Sequence, residues 1–515
     1  MKNDISGSGT SSPTLLQMHP ADGVAITCQA LPKGALIRDG LKSIDRIPPG
    51  HKVALRPHTK GESILRYGQI IGFASAPIAA GQHVHLNNLK MGEVSPDYAF
   101  CEHRQNQMPT QVGPTFMGYN RKNGKYGTRN FIGIISTVNC SAHVADLVAR
   151  TFEKNPVTGY DPLAQYPNVD GVIALTHKTG CGMSSGEPLQ LLRRTLEGYI
   201  DHPNFSHVIV LGLGCEVNQI SGIATGSKSP SVTKMTIQGS GGTRKSVARI
   251  VTEMGDILTE SNRCCREPIA AGELKVALIC GGSDGYSGIS ANPALGAASN
   301  LLVRHGGTVI LSETPETYGA EHLLTCRAAS PQVGKKLIER IKWWEAYSAS
   351  QGVSLNANPT PGNNAGGLTT ILEKSLGAIT KAGNSNLTQV IEYAEPVTTR
   401  GLIFMDGPGY DPVQVTGQIA SGANIVAFTT GRGSVFGSKP APTIKLASNT
   451  PMYTHMSEDM DINCGTILEG TESVEDCGQR IFDLLLDVAS GQSSKSEEQN
   501  FGNLEFAPWM IGPVI

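Results

Sequence analysis

Val276-Ala-Leu-Ile-Cys280, followed by Gly281-Gly-Ser-Asp284-Gly-Tyr-Ser-Gly288 and, further on, Thr308-Val-Ile-Leu-Ser312, decides the fold. The first run is short and apolar and predicts a strand; small and polar residues turn the chain after it. Asn292 to Val303 reads as a helix, with Pro293 in its first turn, where no amide donor is needed. Gly306-Gly307 ends the helix, Thr308–Ser312 is the next strand, and Glu313-Thr-Pro-Glu316 is its acidic exit. Strand, crossover helix and strand make a unit of parallel sheet. Ligands collect beyond the carboxyl ends of such strands, and Cys280, Ser283, Asp284, Glu313 and Glu316 all fall there.

The unit recurs on both sides. Phe131–Thr137 leads into Cys140, Val169–Leu175 into His177 and Cys181, and Val208–Leu211 into Cys215, Glu216 and Asn218. Helices are expected at 142–154, 189–202 and 243–262, with a strand at 233–238. Cys140, Cys181, Cys215 and Cys280 each close an apolar run, a pattern that four structural core thiols do not readily explain. Later, Gln332–Ser350 and Val413–Ser421 read as helices, and Gly401–Met405 and Ala423–Phe428 as strands. The loop Asn358-Pro-Thr-Pro-Gly-Asn363 leads to a helix carrying Lys374, read either as a solvated residue or as a proton-transfer group. Thr429-Thr430-Gly431-Arg432 offers hydroxyls, amides and a guanidinium, which suit a carboxylate or phosphate.

Upstream lies a different region. Short β-like runs between 15 and about 90 predict a small β-rich domain, preceded by a disordered lead-in at 1–14 and followed by a linker at 91–117. Two α/β regions then span 118–270 and 271–515. His51, His83 and His85 of the β-rich domain read first as ordinary surface groups, with a functional role as the second reading.

Composition narrows the classes. At 515 residues the chain has room for several domains, and its net charge of −2 gives no electrostatic case for nucleic acid or an acidic membrane. The 60 glycines fit a turn-rich α/β chain. No apolar run is long enough for a bilayer, no secretory pattern opens the chain, and eleven cysteines then point to reduced thiols and a cytoplasmic setting. A phosphate-binding Gly-x-x-x-x-Gly-Lys loop, a dinucleotide fingerprint and a nucleophile elbow are all absent. What remains is a polar strand edge with soft ligands and carboxylates, which suits a transition metal such as Fe(II) holding an oxygen-rich substrate.

The motifs Gly50-His-Lys, Arg66-Tyr-Gly, His83-Val-His, Gly127-Thr-Arg-Asn, Gly212-Leu-Gly-Cys-Glu, Cys280-Gly-Gly-Ser-Asp-Gly, Thr429-Thr-Gly-Arg-Gly and Met460-Asp-Ile-Asn occur in order along the chain. In these the sequence resembles the altronate/galactarate dehydratase family over nearly its whole length. The resemblance implies an N-terminal SAF (β-clip) domain, a large α/β region, and an Fe(II)-dependent hydro-lyase acting on a sugar acid. Altronate is the first substrate it suggests and galactarate the alternative. A sulfolactate sulfo-lyase-like enzyme or a non-catalytic sugar-acid-binding relative are further readings. Another divalent metal or an iron–sulfur cluster stand behind Fe(II). The expected metal ligands are His177, Cys181, Cys215, Cys280 and Glu216. Proton transfer is expected from Glu313, Lys374 or Asp284, and substrate binding from Thr430, Arg432, Ser283 and Asn363. The expected partners are the small sugar acid and further copies of the chain.

Overall fold

The computed structural model describes residues 15–94, 96–105, 113–224, 231–512 and 514; the predicted lead-in lies outside them. The N-terminal part is all β, as expected. Leu15–Leu16, Val24–Thr27, Lys52–Ala54 and His83–Val84 form one antiparallel sheet, and Ser63–Arg66, Gln69–Ala74 and Leu89–Lys90 a second.

A further strand leads from the β-rich part into the α/β part. Thr115–Asn120 pairs antiparallel with both Tyr126–Gly127 and Glu267–Ala270. Its alternating burial, with Phe116 inside and Met117 outside, is the period of a half-buried strand.

Beyond it stands the first parallel sheet: β1 (Phe131–Ser136), β2 (Gly171–Leu175), β3 (Phe205–Gly212) and β4 (Ser231–Thr236), in spatial order β2-β1-β3-β4. Helices α1 (Asn139–Thr151), α2 (Glu187–Ile200) and α3 (Thr243–Ser261) connect its strands. β1 is buried at every position, so its residues read as a continuous apolar run and not as an alternating one.

The C-terminal part is a seven-stranded, all-parallel sheet. Its strands are β5 (Lys275–Cys280), β6 (Thr308–Leu311), β7 (Leu387–Ile391), β8 (Gly401–Met405), β9 (Ile425–Thr430), β10 (Thr443–Ala447) and β11 (Ile462–Asn463). The order β7-β8-β6-β5-β9-β10-β11 places the chain on one side of β5 first and on the other side afterwards. The crevice between the carboxyl ends of β5 and β9 is therefore the topological switch point, where open α/β sheets hold ligands. Helix α4 (Ala291–Arg304) crosses from β5 to β6, as predicted. Two short helices, α5 (Pro361–Ala365) and α6 (Ile371–Ala378), lie between β6 and β7, and α7 (Asp411–Ala420) precedes β9. Thr429 and Thr430 belong to the end of β9 and not to the loop after it.

The β domain docks on this sheet through buried polar contacts. Glu373 of α6 receives Lys52 Nζ at 2.8 Å and Arg66 Nη1 at 2.7 Å, and all three side chains are within 1% of full burial. Arg66 also donates to Gly285 O, Lys52 to Gly367 O, and Tyr286 Oη to Thr27 O. A Cβ at Gly285 or Gly367 would collide with the Gly50 carbonyl, so glycine at these positions permits the close approach of the Pro48–His51 turn.

Candidate active site between the β domain and the C-terminal sheet

A cavity of about 940 Å³ lies at this junction. Cys28, Pro48 and Pro49 line it from the β domain, and Tyr286, Ala365, Gly366, Arg432, Asn449 and His455 from the C-terminal part. Arg432 is exposed there, and its guanidinium makes no hydrogen bond or ion pair among the described residues. Its backbone is fixed, with the Arg432 amide donating to Gly282 O at 2.8 Å. An exposed guanidinium on a cavity wall suits an anionic oxygen pair.

Next to Ala365 the β domain gathers three imidazoles. His51 Nδ1 and His83 Nε2 are 3.0 Å apart, and His51 Nε2 is 3.2 Å from Ala365 O. One nitrogen each from His51, His83 and His85 lies within 4.8 Å of the others. Burial pushes His83 and His85 down to about 4 and lowers His51 as well, so all three rings are neutral at pH 7. His85 Nδ1 is buried without a hydrogen-bond partner. Two nitrogens 3.0 Å apart have the spacing of neighbouring ligands on one ion with bonds of about 2.1 Å. In the sequence only the two-residue spacing of His83 and His85 hints at this group, and His85 lies just past the end of the His83–Val84 strand.

A second group of titratable side chains sits under the switch point. Cys280 ends β5, and its Sγ accepts from Lys381 Nζ at 2.7 Å. Glu316 receives Lys374 Nζ at 2.7 Å, and Asn358 Oδ1 receives the same amine at 2.8 Å. Glu313 stands in the left-handed region at φ 71°, and both its carboxyl oxygens are buried without a hydrogen bond. Burial, with Glu316 nearby, holds the Glu313 carboxyl well above the ordinary range and favours its protonated form, against the pull of Lys381 Nζ at 3.9 Å. Burial also tends to raise Glu316, but Lys374 and Lys381 more than reverse that and keep it ionised. Asp411, in the first turn of α7, is raised to about 7 by burial and by Glu316. Lys381 and Asp411 escape a sequence reading because no local motif marks them.

The expected metal set is not assembled. His177 is buried with both nitrogens engaged, Nε2 to Ser136 O at 3.0 Å and Nδ1 from the Thr179 amide at 3.3 Å. Glu216 accepts from Thr137 Oγ1, Leu213 N and Gly214 N, which makes it the brace of its own loop. Cys181 and Cys215 are exposed on the first parallel sheet, whereas Cys280 is buried in the second, where its Sγ lies within 4.8 Å of a Glu313 and a Glu316 oxygen, a group that could hold a cation, with Lys381 Nζ beside it.

The other expected roles are also redistributed. Asp284 accepts from Ser287 N and Oγ, Tyr286 N, Ser448 Oγ and Asn449 Nδ2, and so anchors the turn after β5 instead of serving as a free base. Asn363 uses Nδ2 on Ser283 O at 2.7 Å and Oδ1 on Thr360 N at 2.9 Å, so its amide pins the loop and caps α5. Ser283 serves that contact with its carbonyl. Thr430 is fully buried and accepts from Gly433 N at 3.0 Å, shaping the turn that presents Arg432. Lys374 is only 8% exposed, which removes the reading of it as a solvated residue.

A β-clip-like domain, a parallel-sheet switch point lined with titratable groups, and a cavity between them define a multidomain α/β protein with an interdomain site. Models of three families match: the altronate/galactarate dehydratase SAF domain over residues 13–92, the D-galactarate dehydratase/altronate hydrolase second domain over 118–262, and the D-galactarate/altronate dehydratase C-terminal domain over 271–514. The chain belongs to the D-galactarate/altronate dehydratase family, and it is a hydro-lyase. It is 38% identical over 504 residues to the galactarate dehydratase (L-threo-forming) of Escherichia coli, covering 95% of each chain. It is 34% identical over 496 residues to the altronate dehydratase of Bacillus subtilis, covering 95% of this chain and 98% of the relative. The beta subunit of a (2R)-sulfolactate sulfo-lyase of Chromohalobacter salexigens is 33% identical over 399 residues, covering 76% of this chain and 97% of that subunit. Among the described residues no helix is long and apolar enough to cross a membrane.

Proposed function

We propose that the chain dehydrates a sugar acid in the interdomain cavity, with a divalent metal held by His51, His83 and His85. The observation that supports this most is the convergence of three neutral imidazoles beside Ala365, one of the cavity-lining residues. Fe(II) is the proposed ion, since imidazole suits iron and three protein ligands leave further coordination positions for oxygen. When bound, the ion would polarise the substrate carboxylate and a hydroxyl, which stabilises negative charge developing at C2.

The chain's own groups supply the rest. Arg432 holds a carboxylate in the cavity. Glu313 and Lys374 are the proposed proton-transfer residues: Glu313 keeps a proton to give, and Lys374 holds Glu316 ionised beside it. Asp411, near 7, exchanges its proton close to neutrality.

Altronate is the first proposed substrate, on the motif Glu313-Thr-Pro-Glu-Thr-Tyr-Gly. Galactarate is the second reading. The 38% identical relative carries that name, and Arg432 would take one carboxylate of a diacid while the histidine site takes the other. Keto-acid release from each compound, measured without oxygen and with Fe(II), decides between them. Turnover of neither compound overturns the reading.

A further inference from the structure

Away from the cavity, the first parallel sheet brings three thiols to one edge. Cys140 opens α1 just after β1, Cys181 lies in the loop after β2, and Cys215 in the loop after β3. β2, β1 and β3 are neighbours, and their last residues run side by side, Ile135 against Leu175 and Ser136 against Leu211. The loops are tied to one another. The Asn139 amide donates to Thr179 O at 3.0 Å, and the Asn218 amide donates to Gly180 O at 3.0 Å. Asn218 Nδ2 donates to Thr137 O at 3.0 Å, and Thr137 Oγ1 donates to Glu216 at 2.7 Å. A Cβ on Gly180 would sit 2.8 Å from the Val138 Cα, so the Cys181 loop lies directly against the start of α1. His177 and Glu216, which hold no metal themselves, are the braces of this edge.

All three cysteines are free and exposed. Cysteine is among the most buried residue types, so three exposed thiols on converging loops need a reason other than packing. Helix α1 starts with no side-chain cap and no acid in its first turn, so the positive end of its dipole stands at Cys140. Gln238 Nε2 lies 3.3 Å from Cys215 Sγ as a donor.

The donor set and its placement on three loops point to the kind of centre. One tetrahedral ion with metal–sulfur bonds of about 2.3 Å draws its sulfurs to within roughly 4 Å of one another. Among the described residues only two groups bring three ligand atoms within 4.8 Å, and neither contains these cysteines. A cubane iron–sulfur cluster bonds each thiolate to a different iron and so accepts the wider set. We propose that Cys140, Cys181 and Cys215 hold a [4Fe–4S] cluster on the carboxyl edge of the first parallel sheet. Three thiolates leave the fourth iron without a protein ligand, open to water or to a carboxylate or hydroxyl oxygen. This site shares no residue with the histidine site.

The test is anaerobic reconstitution of the full chain with Fe(II), sulfide and a thiol reductant, followed by desalting. Iron, acid-labile sulfide and thiolate-to-iron charge-transfer absorption are then measured. The expected result is about four sulfide and about five iron per chain, four of the iron in the cluster and one at the histidine site. Cys181→Ser and Cys215→Ser should each lose the sulfide and the absorption, whereas Cys265→Ser and His83→Ala should keep both. Alkylation of the intact reconstituted protein needs no variant: Cys140, Cys181 and Cys215 should be protected while the exposed Cys265 is labelled. Failure to retain sulfide, retention in the Cys140/Cys181/Cys215 triple serine variant, or labelling of all three thiols after reconstitution would each overturn the proposal.

Discussion

Glu373 and Lys374 are consecutive residues of one short helix, yet their side chains end in different charge networks. Glu373 receives Lys52 and Arg66 from the β domain, while Lys374 reaches Glu316 under the switch point. The turn of the helix thus joins the docking of the β domain to the buried acid cluster. Burial pushes the Glu373 carboxyl up, and Lys52 and Arg66 more than reverse it, holding it at about 2. The docking contact is therefore ionic across the working pH range.

Removing Glu373 leaves Lys52 and Arg66 buried without a counter-charge. Glu373→Ala is expected to destabilise the protein by about 3–5 kcal/mol in urea denaturation. A loss of less than about 1 kcal/mol would show that the three charges are not buried together.

Arg432 is expected to act on substrate affinity. Arg432→Ala should raise KM by about 10- to 100-fold, the worth of a charged hydrogen-bonded contact, with little change in melting temperature. Arg432→Lys should recover only part of this, because an ammonium cannot hold two oxygens in a fork. An unchanged KM would place the carboxylate elsewhere.

How much of this was legible in the sequence depends on the kind of signal. β5, α4 and β6 are readable because buried parallel strands are continuous apolar runs and because Pro293 and Gly306-Gly307 punctuate the helix. The switch point follows from them, so Cys280, Glu313 and Glu316 are foreseen as neighbours. The histidine group is not, since an antiparallel pairing of Lys52 with Val84 brings residues from distant turns together, and no local pattern encodes that register. Asp284 and Asn363 mislead for the opposite reason. Polar residues after a strand have the composition of a site, but these two spend their hydrogen bonds on the turns they form.

Acid sensitivity should trace in part to His177. Burial holds its ring at about 4 in the folded protein, against an ordinary value of 6.5. Between those values the unfolded chain binds a proton that the folded one does not. The contribution is therefore fully present above 6.5 and is lost as pH falls toward 4, by roughly 3 kcal/mol. Urea midpoints of the parent and of His177→Gln, measured across this window, should show a shallower pH slope in the variant. Equal slopes would contradict the assignment.

Asp411 should appear in the rate profile. A carboxyl raised to about 7 predicts an inflection of kcat near neutral pH that Asp411→Asn removes. An inflection unchanged in the variant would assign that titration to another group.

The central claim is that catalysis depends on a metal held by His51, His83 and His85. Its most direct test is anaerobic keto-acid formation from altronate and galactarate by the parent and by His83→Ala, each with Fe(II), with a chelator added, and with bound iron measured in parallel. The account predicts turnover of one of the two compounds by the parent, abolished by the chelator. It also predicts for His83→Ala at least a 100-fold loss (about 2.7 kcal/mol) with the histidine-bound iron gone and the fold intact. Full activity of His83→Ala with Fe(II), or full activity of the parent after the metal is stripped, would contradict it.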